Sequence, residues 1–121
     1  MTIRASNILV AYDGTDAGRQ ALAAAADLAG YGSTVSVAAI AVRNGGRVDP
    51  DQLLCEARDL LLRRHILARY LGPAGDPADA LVETARQLRT DLLVVGRGDG
   101  TRPSLSADLG RRAPCDVLIV S

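Results

Sequence analysis

Two short segments of this 121-residue chain combine glycines with side chains that suit a phosphorylated ligand. One is Asp13-Gly14-Thr15 and the other is Gly96-Arg97-Gly98-Asp99-Gly100, and each follows an apolar run. Glycine backbones approach a ligand closely, so the amides of the second segment can surround phosphate oxygens, and Arg97 and Arg102 suit the same anion. Glycines also simply form turns, and Gly-x-Gly after a strand is a weak signal by itself.

Asp13 has two interpretations. Its carboxylate can accept hydrogen bonds from a ribose or help to hold a metal ion, beside a helix N-terminus that attracts anions. It can equally form an Asx turn with Thr15. Ser104 and Ser106 pose a similar choice, because hydroxyl groups at the start of a helix bind phosphate or cap the helix, and capping is the commoner role.

Catalytic groups are scarce in the sequence. All 14 basic residues are arginine, which excludes mechanisms that need a lysine, and the single histidine, His65, has no cysteine or carboxylate at metal-ligand spacing. No Gly-x-Ser-x-Gly elbow is present. Cys55 falls on an apolar helix face and Cys115 at a strand entrance, so we expect both to be packed side chains rather than reactive thiols. An enzyme is therefore not expected.

The composition argues against several classes of binding partner. The 14 acidic and 14 basic residues cancel, so no net field attracts nucleic acid or anionic lipid, and the absence of Phe and Trp argues against base stacking. No apolar run approaches the roughly 18 residues of a membrane helix, and no secretory signal is seen. With two cysteines far apart in sequence, we expect a cytoplasmic protein with reduced thiols.

Apolar periodicity predicts one domain over residues 1–121 in which strands and helices alternate. The predicted strands are Asn7–Tyr12, 34–42, 65–71, 91–96 and Asp116–Val120, and the predicted helices are 16–29, 50–64, one that begins at Pro77 with Asp76 as N-cap, and a short last helix. This alternation predicts an α/β fold, a doubly wound parallel sheet in three layers. Such sheets bind ligands outside the carboxyl ends of strands where strand order reverses, and both glycine-containing segments follow predicted strands.

Four segments, in order, resemble the universal stress protein family over nearly the whole chain. They are NILVAYDGT at 7–15, GDPADAL at 75–81, TDLLVVGRG at 90–98 and RAPCDVLIV at 112–120. The resemblance implies an adenine nucleotide alpha hydrolase-like fold with five strands in the order 3-2-1-4-5. It also implies a role in the stress response and a homodimer formed through Asp116–Val120.

Many members of this family bind ATP through a Gly-x2-Gly-x9-Gly-Ser/Thr segment, the aspartate after the first strand and a backbone group at the end of the second. The resemblance therefore implies a nucleotide site, with ATP or AMP and Mg²⁺ as the ligands. Carried onto this chain, its residues are Ala11, Asp13, Ile40, Gly96, Arg97, Gly98, Ser104, Leu105 and Ser106.

The chain departs from that motif in the glycine-rich segment. Aligning Gly100 and Gly110 with the Gly-x9-Gly part of the motif keeps that spacing but leaves no room for the last helix. Placing Pro103-Ser104-Leu105-Ser106 on the family's Gly-Ser-Val-Ser keeps a helix with Leu105 and Leu109 on one face. In that register Gly96 to Ser104 spans eight positions, six fewer than the motif, and Pro103 offers no amide. Adenine and ribose contacts are predicted to survive, whereas triphosphate binding is in doubt.

Three functions stay open at this point. The preferred one is a dimeric binding module that holds an adenine nucleotide weakly and signals by its occupancy. The alternative is a dimeric interaction or regulatory protein of the same fold that has lost nucleotide binding, which the shortened segment favours. A weak ATPase ranks third, because no general base or second carboxylate is found near Asp13 in the sequence.

Overall fold

Strands and helices alternate along the part of the chain that the structure describes. A computed structural model describes residues 6–30, 32–40, 49–97 and 105–120. The strands are β1 (Asn7–Tyr12), β2 (Thr34–Ala39), β3 (Ala68–Leu71), β4 (Leu92–Gly96) and β5 (Asp116–Val120). The helices are α1 (Asp16–Leu28), α2 (Pro50–Leu62), α3 (Pro77–Gln87) and α4 (Leu105–Arg112).

The five strands form one parallel sheet in the order β3-β2-β1-β4-β5. β1 pairs with β2 on one side and β4 on the other, so that Val10 lies between Val37 and Val94. The chain runs outward from β1 to β3 and then crosses back to β4, which makes the gap between β1 and β4 the point of reversal. The predicted strand order and fold class are confirmed.

The side chains of β1 alternate between two apolar layers. Ile8, Val10 and Tyr12 pack with residues of α1 and α2, while Leu9 and Ala11 pack with residues of α3 and α4. A central parallel strand is covered on both faces, and every residue of β1 after Asn7 is accordingly buried. In a core without Phe or Trp, Tyr12 is the largest fully buried side chain among the described residues.

Side-chain caps determine where the helices begin. The Thr15 hydroxyl accepts from the Gly18 amide at 3.0 Å at the start of α1. At α3 the Asp76 carboxylate accepts from the Asp79 amide at 3.1 Å, ahead of Pro77, as the sequence predicted. Each cap satisfies an amide that has no partner inside its helix.

β3 begins at Ala68, so the prediction that it begins at His65 was wrong. His65 has φ of +59°, and the Ile66 amide donates to the Leu61 carbonyl at 3.0 Å. This bond closes the end of α2 in a left-handed turn, which uses the residues that were expected to start the strand.

Other predicted boundaries shift by a few residues. α1 ends at Leu28 rather than 29, α2 at Leu62 rather than 64, and β4 begins at Leu92 rather than 91. β2 ends at Ala39, and the last two residues of its predicted range lie outside the described residues. Hydrogen bonds of the turns, which periodicity does not encode, determine these ends.

Candidate functional site

Asp13 lies directly after β1 and forms the turn into α1. Its Oδ1 atom accepts hydrogen bonds from the Thr15 amide, at 3.0 Å, and from the Thr15 hydroxyl. The Asx turn that the sequence offered as one interpretation is therefore present. Within the described residues, Oδ2 of Asp13 has no hydrogen-bond partner. One carboxylate oxygen thus holds the turn.

The first turn of α1 packs directly against the Asp13 carboxylate. A Cβ atom added at Gly18 would lie 2.6 Å from Asp13 Oδ1, so only glycine permits this approach. The positive end of the helix dipole therefore faces the carboxylate. On the outer side, the Arg19 guanidinium donates to the Gly14 carbonyl at 2.9 Å and pairs with Asp16.

Gly96, the last residue of β4, meets the same turn of α1. A Cβ atom added there would lie 2.5 Å from the Ala17 carbonyl oxygen. Close packing of α1 on β4 thus requires this glycine, whatever ligand is bound. Ala17 and Gly18 are neighbours, so the Asp13 turn and the start of the glycine-rich segment both contact the first turn of α1.

Arg97 continues from Gly96 at the same edge of the sheet. Its amide donates to the Val120 carbonyl at 2.7 Å, which extends the β4 and β5 pairing by one residue. Its side chain is exposed. The backbone bond fixes where Arg97 leaves the sheet while its guanidinium faces solvent.

The side chains of Ala11 and Ile40 pack in the apolar layer between the sheet and helices α3 and α4. Ala11 pairs with Ala38 of β2, and the Ile40 amide donates to the Tyr12 carbonyl at 2.9 Å. Both side chains are buried, so the end of β2 is fixed against the end of β1. The structure therefore brings these two predicted residues close to Asp13.

The start of α4 supplies the last predicted residues. Leu105 is partly buried and Leu109 fully buried in the same apolar layer, so both lie on the inner face of α4. Ser106 is buried as well. Gly98 and Ser104, with the rest of 98–104, lie outside the described residues.

Tyr12 and Glu56 form a contact that the sequence reasoning missed. The Tyr12 hydroxyl donates to Glu56 Oε2 at 2.9 Å and thereby ties α2 to the end of β1. Burial raises the pKa of Tyr12, and the bond to Glu56 raises it further. A tyrosine that ends a buried strand signals the need for a partner, because its hydroxyl must be satisfied. The sequence does not say which residue that partner is.

The two cysteines differ in their surroundings. Cys55 is exposed, so its predicted packing on the apolar face of α2 was wrong. The buried residues of that helix are Leu53, Ala57 and Leu61, and position 55 lies about half a turn from this stripe. Cys115 is half-buried, and burial raises its thiol pKa above the usual value. This result agrees with a packed rather than a reactive side chain.

Two absences concern the described residues alone. No cluster of three or more His, Cys, Asp or Glu side chains there is arranged to hold a metal ion. None of the helices described has the length and apolar character needed to cross a bilayer.

The chain was compared with known proteins. A model of the universal stress protein family matches residues 5–121. A solved universal stress protein in complex with cAMP is similar at 28% identity and a TM-score of 0.82, over 98% of both chains. A Mycobacterium tuberculosis H37Rv protein is similar at 27% identity and 0.73, over 100% of this chain and 98% of that one.

A more distant structure shows the same fold. The universal stress protein from Archaeoglobus fulgidus in complex with dAMP is 21% identical, with a TM-score of 0.74 over 100% of both chains. A search of functionally curated proteins found no match.

Proposed function

This chain belongs to the universal stress protein family, and from that premise we propose that it is a stress-response domain that binds an adenine nucleotide where β1 and β4 end. The observation that carries the proposal is that Asp13 and Gly96 both pack against the first turn of α1. This is the position where strand order reverses, which is where sheets of this kind bind ligands.

The carboxylate of Asp13 is proposed to bind the ribose of the nucleotide. Its Oδ1 atom is used by Thr15, and its Oδ2 atom can accept from a ribose hydroxyl. The Ile40 amide holds the backbone at the end of β2 against β1, and this backbone is proposed to contact the base. The contacts for an adenosine moiety are therefore proposed to come from β1 and β2.

We propose a nucleoside monophosphate, including a cyclic one, as the ligand rather than a triphosphate. The Gly96 to Ser104 segment is six positions shorter than the family motif and ends beside Pro103, which lacks an amide. A segment with fewer backbone amides has enough donors for one phosphate group but too few for three. The relatives that were solved with cAMP and with dAMP are consistent with this choice.

Calorimetry and thermal unfolding with AMP, cAMP and ATP, with and without Mg²⁺, test the proposal. We expect AMP and cAMP to release heat and raise the melting temperature, because a ligand that binds only the folded state stabilises it. ATP is expected to bind more weakly. Absence of heat with every nucleotide at millimolar concentration, from a folded protein, would refute the proposal.

Asp13→Asn is the variant that isolates binding from folding. It keeps the Oδ1 acceptor of the turn and replaces Oδ2 by a donor, so we expect about tenfold weaker AMP binding with the fold preserved. Asp76→Asn is the matched control, because Asp76 caps α3 by the same kind of bond. Equal loss of affinity in both variants would indicate a general effect on the fold rather than a contact with the ligand.

The shortened glycine-rich segment supports a second candidate, a dimeric interaction or regulatory protein of the same fold without a nucleotide. For either function we propose a homodimer through β5, which lies at one end of the sheet order and exposes 44% of Ile119. Light scattering after gel filtration tests the dimer. We expect Ile119→Lys to yield monomers, and a wild-type protein that is monomeric at all concentrations would refute the dimer.

A further inference from the structure

Arg19 is an exposed residue near the start of α1 whose side chain reaches back to the turn before the helix. Helical side chains tilt toward the helix N-terminus, which brings its Nη1 atom to the Gly14 carbonyl, where it donates at 2.9 Å. Its Nη2 atom pairs with Asp16, whose side chain is 91% exposed, and such exposed pairs contribute little to stability. The bond to Gly14 is therefore the contact that bears on the Asp13 turn.

The Gly14 carbonyl belongs to the same peptide unit that holds the Asp13 carboxylate. In this trans peptide the carbonyl of Gly14 and the amide of Thr15 point in opposite directions. The amide donates to Asp13 Oδ1 at 3.0 Å, and the carbonyl accepts from Arg19. A rotation of the peptide that breaks one of these bonds also disturbs the other. Arg19 and the Asp13 carboxylate are thus joined through a single peptide unit.

Gly14 by itself does little to fix the orientation of this peptide. Its φ of +82° lies in the left-handed region, and glycine restricts the backbone torsions less than any other residue. Leu53 of α2 packs closely on it, since a Cβ atom added at Gly14 would lie 2.9 Å from Leu53 Cδ2. Apolar contacts, however, are not directional. The orientation of the peptide therefore depends on the hydrogen bonds at its two ends.

Arg19 also interacts with the residue that precedes Asp13 in the chain. Burial and the bond to Glu56 raise the pKa of Tyr12, and the neighbouring Arg19 guanidinium opposes this effect. One guanidinium therefore interacts with both Tyr12 and Gly14, the two residues that flank Asp13. Arginine suits this position because its planar group presents several N–H donors in fixed directions.

We propose that Arg19 is a positioning residue for nucleotide binding, which orients the Asp13 carboxylate by holding the Gly14 carbonyl. The inference rests on the proposed function, because Asp13 is the group assigned there to the ribose. The Thr15 amide and hydroxyl hold Oδ1 of Asp13, so the direction of Oδ2 follows from the placement of Thr15. Loss of Arg19 frees one end of the peptide and allows the carboxylate to turn away from the ribose.

Direct contact with the phosphate is the alternative role for an exposed cation near a helix N-terminus. Within the described residues, two nitrogens of the Arg19 guanidinium are already used by Gly14 and Asp16. The two roles differ in what they predict for adenosine, which contains the ribose but lacks the phosphate. A positioning role weakens the binding of adenosine and AMP by the same factor, whereas a phosphate contact weakens the binding of AMP alone.

The Thr15 amide proton reports the orientation of the peptide without any nucleotide. Arg19→Met keeps the length of the side chain but removes its donors, so we expect this amide to exchange with solvent about tenfold faster, measured by NMR. Arg86→Met is the matched control, because Arg86 forms the same i,i+3 ion pair, with Glu83, in α3. It is expected to leave the Thr15 amide unchanged. Unchanged exchange in Arg19→Met would overturn the inference.

Calorimetry with adenosine and AMP tests the effect on the ligand. Arg19→Met is expected to weaken the binding of both about tenfold, whereas Arg19→Lys, which keeps a cationic donor, is expected to lose no more than about threefold. Asp16→Asn removes the ion pair but not the bond to Gly14, so both affinities are expected to stay within about twofold of wild type. Thermal unfolding checks that each variant folds. A loss confined to AMP, or an equal loss in Asp16→Asn, would overturn the positioning role.

A double-mutant cycle tests whether Arg19 acts through Asp13. In a protein that already carries Asp13→Asn, Arg19→Met is expected to weaken AMP binding by less than about twofold further, because the contact that Arg19 positions is already lost. Additive losses would overturn the inference. Failure of the proposed function gives a different result, since a folded wild-type protein would then bind neither adenosine nor AMP. Wild-type binding that Arg19→Met leaves intact refutes the role of Arg19 alone.

Discussion

The Thr15 amide donates to Asp13 Oδ1 at 3.0 Å, so the carboxylate proposed to contact a ligand also forms the turn that presents it. We expect Asp13→Ala to lower the free energy of unfolding by about 1 to 2 kcal/mol, because it removes the acceptor of the Thr15 amide and hydroxyl. Asp13→Asn keeps an acceptor and is expected to cost about 0.5 kcal/mol, mainly through the lost charge near the helix dipole. Urea unfolding measures both, and equal stability of the two variants would contradict this role.

Gly96→Ala is expected to destabilise the protein by about 2 kcal/mol or more. The added carbon would lie 2.5 Å from the Ala17 carbonyl, so α1 would have to shift away from β4. Gly110→Ala is the matched control, because no atom of the described residues lies within 4 Å of a Cβ atom added there in α4. This control is expected to stabilise by about 0.5 to 1 kcal/mol. Chemical unfolding curves that shift in the same direction for both variants would count against the packing argument.

Arg89→Gly is expected to stabilise the protein by about 0.5 kcal/mol, because Arg89 has φ of +54° in the turn that ends α3. The bond from the Thr90 amide to the Ala85 carbonyl, at 2.9 Å, is a backbone contact that the change preserves. Arg86→Gly, inside the same helix, is expected to cost about 1 kcal/mol. Melting temperatures should therefore move in opposite directions for the two variants, and a loss of stability in Arg89→Gly would be evidence against strain at this position.

Tyr12→Phe is expected to change how stability depends on alkaline pH. The folded-state pKa of Tyr12 is raised by burial and by the bond to Glu56, whereas the pKa of a tyrosine in the unfolded chain is about 10. The stabilising contribution of neutral Tyr12 is therefore fully present below pH about 10 and is lost as the pH rises through the folded-state pKa. We expect Tyr12→Phe to lose stability less steeply above that pH.

At neutral pH the same variant is expected to be less stable by about 1 kcal/mol, because the hydrogen bond to Glu56 is lost. Urea unfolding across the alkaline range measures both effects. Parallel stability profiles for wild type and Tyr12→Phe would show that Tyr12 does not titrate as its surroundings indicate.

The local sequence pattern correctly predicted the strands and helices whose apolar runs are bounded by turn or capping residues. β1 and β5 occur at the predicted residues, and Asp76 caps α3 as expected. The prediction that β3 begins at His65 was wrong because an apolar pattern fits both a strand and the end of a helix. Only the Ile66 to Leu61 bond distinguishes the two. The strand order followed from the family resemblance rather than from periodicity, since periodicity identifies strands without stating their neighbours.

The sequence alone determined that strands and helices alternate, that Asp13 follows a strand and that Gly96 ends one, because periodicity and turn chemistry are properties of neighbouring residues. The tertiary structure decided how those residues are used. Oδ1 of Asp13 is bound within the turn, Gly96 is required by Ala17, and the Tyr12 hydroxyl is satisfied by Glu56, 44 residues away. These contacts depend on which elements the fold places side by side, and residue types within one segment do not contain that information.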